Sequence, residues 1–185
     1  MKLKKRYQLL LIAIVLFLVD FGLTWYFLNY SSYAEEGNPL FLIDGGYLSL
    51  IINFIYVSIV FIIGYIIEKY QTIVLEAKNG FDYFIKLYKT DRTDYIIISF
   101  LTAFIFATFA SRTTVIIDWV IYGIYQSDFF STKYAIMRDQ MPLGRYDVVV
   151  TFISLLLFVP LWFKLEYKKS KVVLSVKKYK IITHD

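Results

Sequence analysis

Few residues of this chain could do chemistry, and nearly all of them lie inside long apolar runs. Asp20 is the single charge between Tyr7 and Leu28, and Thr24 follows it one helical turn later. Residues four apart share a helix face, so the carboxyl and the hydroxyl point the same way. Asn53 lies in a second apolar run, Arg112 interrupts a third, and Thr151 and Ser154 open a fourth. An acid in hydrocarbon costs about 2.5–3.5 kcal/mol on insertion scales and must find a partner or a proton. Arg112 and Asp118 are six apart, off a common helix face, so Arg112 looks to Asp20, Glu36 or Asp147 instead. One polar layer in the outer half of a helical bundle would contain Asp20, Thr24, Asn53, Arg112 and Thr151. Such a layer either fixes packing and register, or handles protons, ions or headgroups, or meets a partner subunit. The first use tolerates Asp20→Asn and not Asp20→Leu, because an amide keeps the hydrogen bonds and an isobutyl group does not.

Other chemistries are excluded by residue type. The chain has no cysteine, which rules out disulfides, thiolate ligands and a thiol nucleophile. Its one histidine is His184, next to the last residue, which disfavours a zinc site or a Ser-His pair. No H-E-x-x-H, P-loop, G-x-S-x-G or G-x-G-x-x-G pattern occurs. Glu76, Asp82, Asp91 and Asp94 alternate with Lys and Arg, which reads as a solvated, salt-bridged face. No metal and no cofactor is expected.

The elements that must position the polar layer follow from the apolar blocks. Of 185 residues, 58% are hydrophobic, and Tyr and Phe number 17 each. Tyr suits the headgroup level, with its ring buried and its hydroxyl wet. A helix crosses the hydrocarbon core with about 20 apolar residues. Spans are expected at about 7–28, 47–67, 94–112 and 147–165, giving an all-α, four-span membrane domain over residues 1–167. A basic tail, 168–185, follows. The first run is too long for a cleavable signal peptide, and no small-residue cleavage site follows it.

Between the second and third runs, Ile73, Val74, Ala77, Phe81, Phe84, Ile85 and Tyr88 recur at three- and four-residue steps. That spacing lays an apolar stripe on a helix. The second span is expected to continue as helix to about Lys78. Asn79-Gly80 then interrupts it as a turn or C-cap. A short amphipathic helix would lie along the membrane surface from Phe81. Asp91 or Thr93 can cap the next helix. Val115 to Tyr125 reads either as an extension of the third helix or as a short interfacial or re-entrant piece. Val172 to Val176 could form a short strand.

The charge distribution sets the orientation. Lys and Arg number four before Tyr7, five from Glu68 to Asp94, and seven after Phe163. The other side has only Arg112, Lys133, Arg138 and Arg145. Positive charge favours the cytoplasmic side, so both termini are expected inside, with an even number of spans. The basic balance is thus a topology signal, and nucleic acid is not an expected partner. Lys164, Lys168, Lys169, Lys171, Lys177, Lys178 and Lys180 are candidate contacts for anionic lipid.

Asp20-x-x-x-Thr24, followed by Glu36-x-Asn38-Pro39, resembles the N-terminal pattern of a small prokaryotic membrane family described as domain of unknown function 5658. The match covers Asp20 to Leu40, one fifth of the chain. It marks Glu36, Asn38 and Pro39 as a candidate outer-loop motif, beside their plain role as turn residues. The resemblance implies a compact helical protein of about four spans and adds no reaction. The expectation is therefore a multi-pass cell-membrane protein acting without catalysis, as an accessory or assembly subunit of a membrane complex. The alternatives are a minimal ion, proton or solute permease built on the Asp20 layer, and a lipid-modifying enzyme at the outer face.

Overall fold

A computed structural model describes residues 3–30, 46–124 and 146–182, together with residues 133, 136, 137 and 140. Those residues hold helices α1 (Lys5–Tyr30), α2 (Tyr47–Lys69), α3 (Gly80–Tyr88), α4 (Asp94–Ile124) and α5 (Tyr146–Ile182), and no strand. α1, α2, α4 over Asp94–Ile121 and α5 over Asp147–Val176 are long and apolar enough to cross a membrane. Helix is the form such runs take, because it satisfies every backbone donor and acceptor within the segment.

α4 is the hub. On one side it packs with α1 and α2 around Ala13, Val60, Ile63, Ile105 and Phe109. Along its other side lies α5, whose contacts with α1 and α2 are slight at most. The α1–α2 crossing is close at Gly64, where a Cβ would stand 3.1 Å from the Arg6 Cα. A second core joins α3, the start of α4 and the middle of α5 through Tyr83, Leu87, Tyr95, Ile98 and Trp162.

Four local expectations are corrected or decided here. α2 stops at Lys69 and does not run on to Lys78; residues 70–78 form a non-helical strap. The strap's backbone groups are taken by distant side chains instead of by a helix. Tyr83 donates to the Ile73 carbonyl at 2.7 Å, and Tyr167 donates to that of Lys78 at 2.9 Å. Ser170 Oγ both accepts from Leu75 N–H, at 2.9 Å, and donates to its carbonyl, at 3.0 Å. Asn79 begins a helix and does not end one: its Oδ1 accepts the Asp82 N–H at 2.9 Å, an N-cap. α4 runs unbroken through Ser111 to Thr114, so residues 115–124 extend that helix. Val172 to Val176 is helical, not strand, because α5 continues to Ile182 with Pro160 inside it. Lys, Leu and Glu around those valines are good helix formers, and they outweigh the β-branched pair.

Candidate functional site

The polar layer forms around Arg112. Its Nη1 donates to Asp20 Oδ2 at 2.9 Å, joining α4 to α1. Its Nη2 donates to Asn53 Oδ1, joining α4 to α2. The guanidinium lies over the Tyr56 ring, 5.0 Å from the centroid. Asn53 Nδ2 donates to the Ser49 carbonyl at 2.7 Å. Tyr56 and Thr108 hydroxyls bond at 2.8 Å, and Thr108 donates on to the Ile105 carbonyl. One cation, one acid, one amide and one aromatic face thus converge from three helices.

The helices bring these groups to one level. At ~1.5 Å per residue, Asp20, Asn53 and Arg112 lie roughly 22, 24 and 27 Å from the helix ends at Lys5, Lys69 and Asp94. Arg112 and Asp20 keep 22% and 18% of their side-chain surface exposed, so the pair is shielded but not sealed.

Other expected members stand apart. Thr24 is buried on α1, three residues before Phe27, whose ring stacks on Trp119. Thr151 turns its hydroxyl back onto the Asp147 carbonyl of its own helix, at 2.8 Å, and so stays out of the network. Ser111, not expected, donates to that same carbonyl at 3.0 Å and ties α4 to α5. Tyr56 and Thr108 were also missed; a tyrosine three residues after Asn53 shared its face, and that spacing was the available signal. Glu36, Asn38 and Pro39 lie outside the described residues. Lys164, Lys168, Lys169 and Lys171 are exposed on α5. Lys177, Lys178 and Lys180 lie on its backbone course, with side chains outside those described.

A second polar cluster was not anticipated. Glu166 is 1% exposed in the middle of α5. One of its oxygens meets Lys169, and the other has no hydrogen-bond partner. The Tyr70 hydroxyl, at the start of the strap, is likewise buried without one. Burial first, then the charge of Glu166, pushes the Tyr70 and Tyr83 phenols above their usual range, so both stay protonated. Glu166 and Ser170 are one turn apart on the face of α5 that holds the strap. Among the described residues no three His, Cys, Asp or Glu side chains are grouped to hold a metal ion.

Fold and site together define a class: an all-helical chain with four helices suited to crossing a membrane, three of them joined by an Arg–Asp–Asn network. No family model, curated protein or solved structure matches this chain.

Proposed function

We propose that this protein is a multi-pass cell-membrane protein that works by interaction, as an accessory or assembly subunit, with both termini in the cytoplasm. The observation that carries this reading is the Arg112 network. Its charge is neutralised inside the chain by Asp20, and its second donor is taken by Asn53. A network of this kind sets the register of three helices. Support for the orientation is geometric as well as numerical. Arg6 approaches Glu68 at 3.8 Å, which puts the start of α1 beside the end of α2. Arg92 reaches the Gln71 carbonyl, and Tyr95 meets Phe163 edge-on. The basic ends of the helices therefore gather at one end of the molecule, where anionic lipid would meet the α5 lysines.

The test is purification in mild detergent with identification of co-purifying membrane chains, beside flux measurements on the pure chain in liposomes. The expected result is a defined partner and no flux. Cation or proton flux by the chain alone, abolished by Asp20→Asn, would overturn the proposal in favour of a permease.

A further inference from the structure

α3 has two apolar faces, one fully buried and one largely exposed. Tyr83 and Leu87, four apart, are fully buried against the strap, α4 and α5. Phe81, Phe84, Ile85 and Tyr88 follow the i, i+3, i+4, i+7 pattern on a second side. Their exposures are 73%, 39%, 40% and 76%. The stripe read along residues 73–88 in the sequence is therefore not one surface. Its first part turns inward with the strap, and its second part turns out. Asp82 and Lys86 occupy the polar flank and pair at 3.3 Å.

The height of this outward face is fixed. The Phe84 ring meets Phe163 of α5 edge-on, 4.9 Å between centroids. Phe163 lies ~24 Å along α5 from Asp147 by helical rise, against a hydrocarbon core of about 30 Å. α3 is held at that height on both sides. The strap before it is pinned by Ser170, Tyr83 and Tyr167. After it, residues 89–93 lead directly into α4.

Resting on the membrane reading above, we infer that the Phe81–Phe84–Ile85–Tyr88 face is a permanent contact with inner-leaflet lipid, seated at the boundary of headgroups and acyl chains. The occupant is lipid because the face lies between two chain segments that enter the bilayer and at the level of its edge. The contact is apolar, so salt does not release it, unlike contacts made by the α5 lysines.

The natural absence of cysteine makes the test direct. Single nitroxide labels go on Phe81→Cys, Ile85→Cys and Tyr88→Cys. Lys86→Cys serves as the water-facing position, and Phe54→Cys and Leu156→Cys as positions on the long helices. The full chain is placed in vesicles of phosphatidylcholine and phosphatidylglycerol. Collision with oxygen is compared with collision with a water-soluble nickel chelate, at low and high salt. Positions 81, 85 and 88 should favour oxygen, position 86 nickel, with no change in high salt. Nickel access at 81 and 88 equal to that at 86, while 54 and 156 stay protected, overturns this inference and leaves the membrane reading standing. Nickel access at 54 and 156 as well overturns both. Spin–spin broadening at 81 or 88 that grows with the protein-to-lipid ratio assigns the face to a second copy and overturns the lipid assignment.

Discussion

Arg112 is the residue on which the most depends, because it carries a full charge and spends it on two neighbours. Asp20→Asn keeps an acceptor for Nη1 but removes the counter-charge, so it is no longer the neutral change the sequence alone suggested. Breaking a fully buried pair by removing one partner costs about 3–5 kcal/mol. With part of this pair's surface exposed, Asp20→Asn should cost less, about 1–2 kcal/mol, and Asp20→Leu more, since it also strands the donor. Asp20→Asn combined with Arg112→Gln should recover part of the loss, with a coupling of about 0.5–3 kcal/mol. Thermal unfolding of the four variants in one detergent measures the cycle, and strict additivity would show that the pair is not coupled. Ser170 gives the matching prediction at the other end. It holds both the N–H and the carbonyl of Leu75. Ser170→Ala should cost about 1–3 kcal/mol and raise hydrogen exchange at the Leu75 amide above that of α2. Unchanged exchange there would mean the strap is held by Tyr83 and Tyr167 alone.

The helices themselves were legible where apolar runs are long and Gly, Asn or Pro stop them. α1, α2 and α4 could be placed from that pattern, and so could the existence of α3. The end of α2 could not. Residues 70–78 leave the helix because side chains up to ninety-five positions away take their backbone groups, as Ser170 does for Leu75. Local spacing carries no trace of such bonds. The continuation of α5 was misjudged for a related reason, since two adjacent valines suggested a strand while their neighbours favoured helix. Of the polar layer, the meeting of Asp20, Asn53 and Arg112 at one level was readable from helical rise. The withdrawal of Thr151 was not, because a hydroxyl that bonds its own helix looks the same in sequence as one that crosses to another. Two predictions belong to the elements. Gly22 has open space around it, and Gly64 faces the Arg6 backbone at 3.1 Å. Gly22→Ala should therefore leave stability unchanged within about 1 kcal/mol. Gly64→Leu should part α1 from α2 and cost about 1–3 kcal/mol, read from thermal unfolding. At the start of α3, the Lys78 N–H donates to Asp82 and, with Lys86 nearby, holds its carboxyl below the usual range. A depressed carboxylate stabilises the fold above its unfolded value and loses that contribution as pH falls through the folded one. The first turn of α3 should therefore fray in acid below the ordinary carboxylate range, seen as faster exchange of the Lys78 and Asp82 amides. Asp82→Asn should remove that pH dependence.

As a whole the molecule is built on charge segregation along its long axis. α5 has 37 residues, ~55 Å as helix, well beyond the ~30 Å of a hydrocarbon core. Its surplus length carries lysines, and it emerges where Arg6, Lys69 and Arg92 also lie. The strap and α3 then pack on that emerging part through Trp162, Tyr83 and Leu87. The loop between α2 and α4 and the Trp162–Ser170 part of α5 thus form one packed unit at the basic end, while the Arg112 network lies toward the other. On the proposed orientation, an even number of crossings would put both chain ends on one side, and the positive bias would make that side the cytoplasm. The consequence can be read in intact cells with an impermeant thiol reagent. Tyr33→Cys lies between α1 and α2, and Ser175→Cys lies on the far part of α5. Labelling is expected at 33 and absent at 175 until the membrane is permeabilised. Lys78→Cys, in the strap, should behave as 175 does, because Tyr167 of α5 bonds the Lys78 carbonyl. Labelling at 175 but not at 33 would invert the orientation. Opposite behaviour of 78 and 175 would mean that the packed unit does not lie on one side, and the α3 face would then lose its place at the inner leaflet.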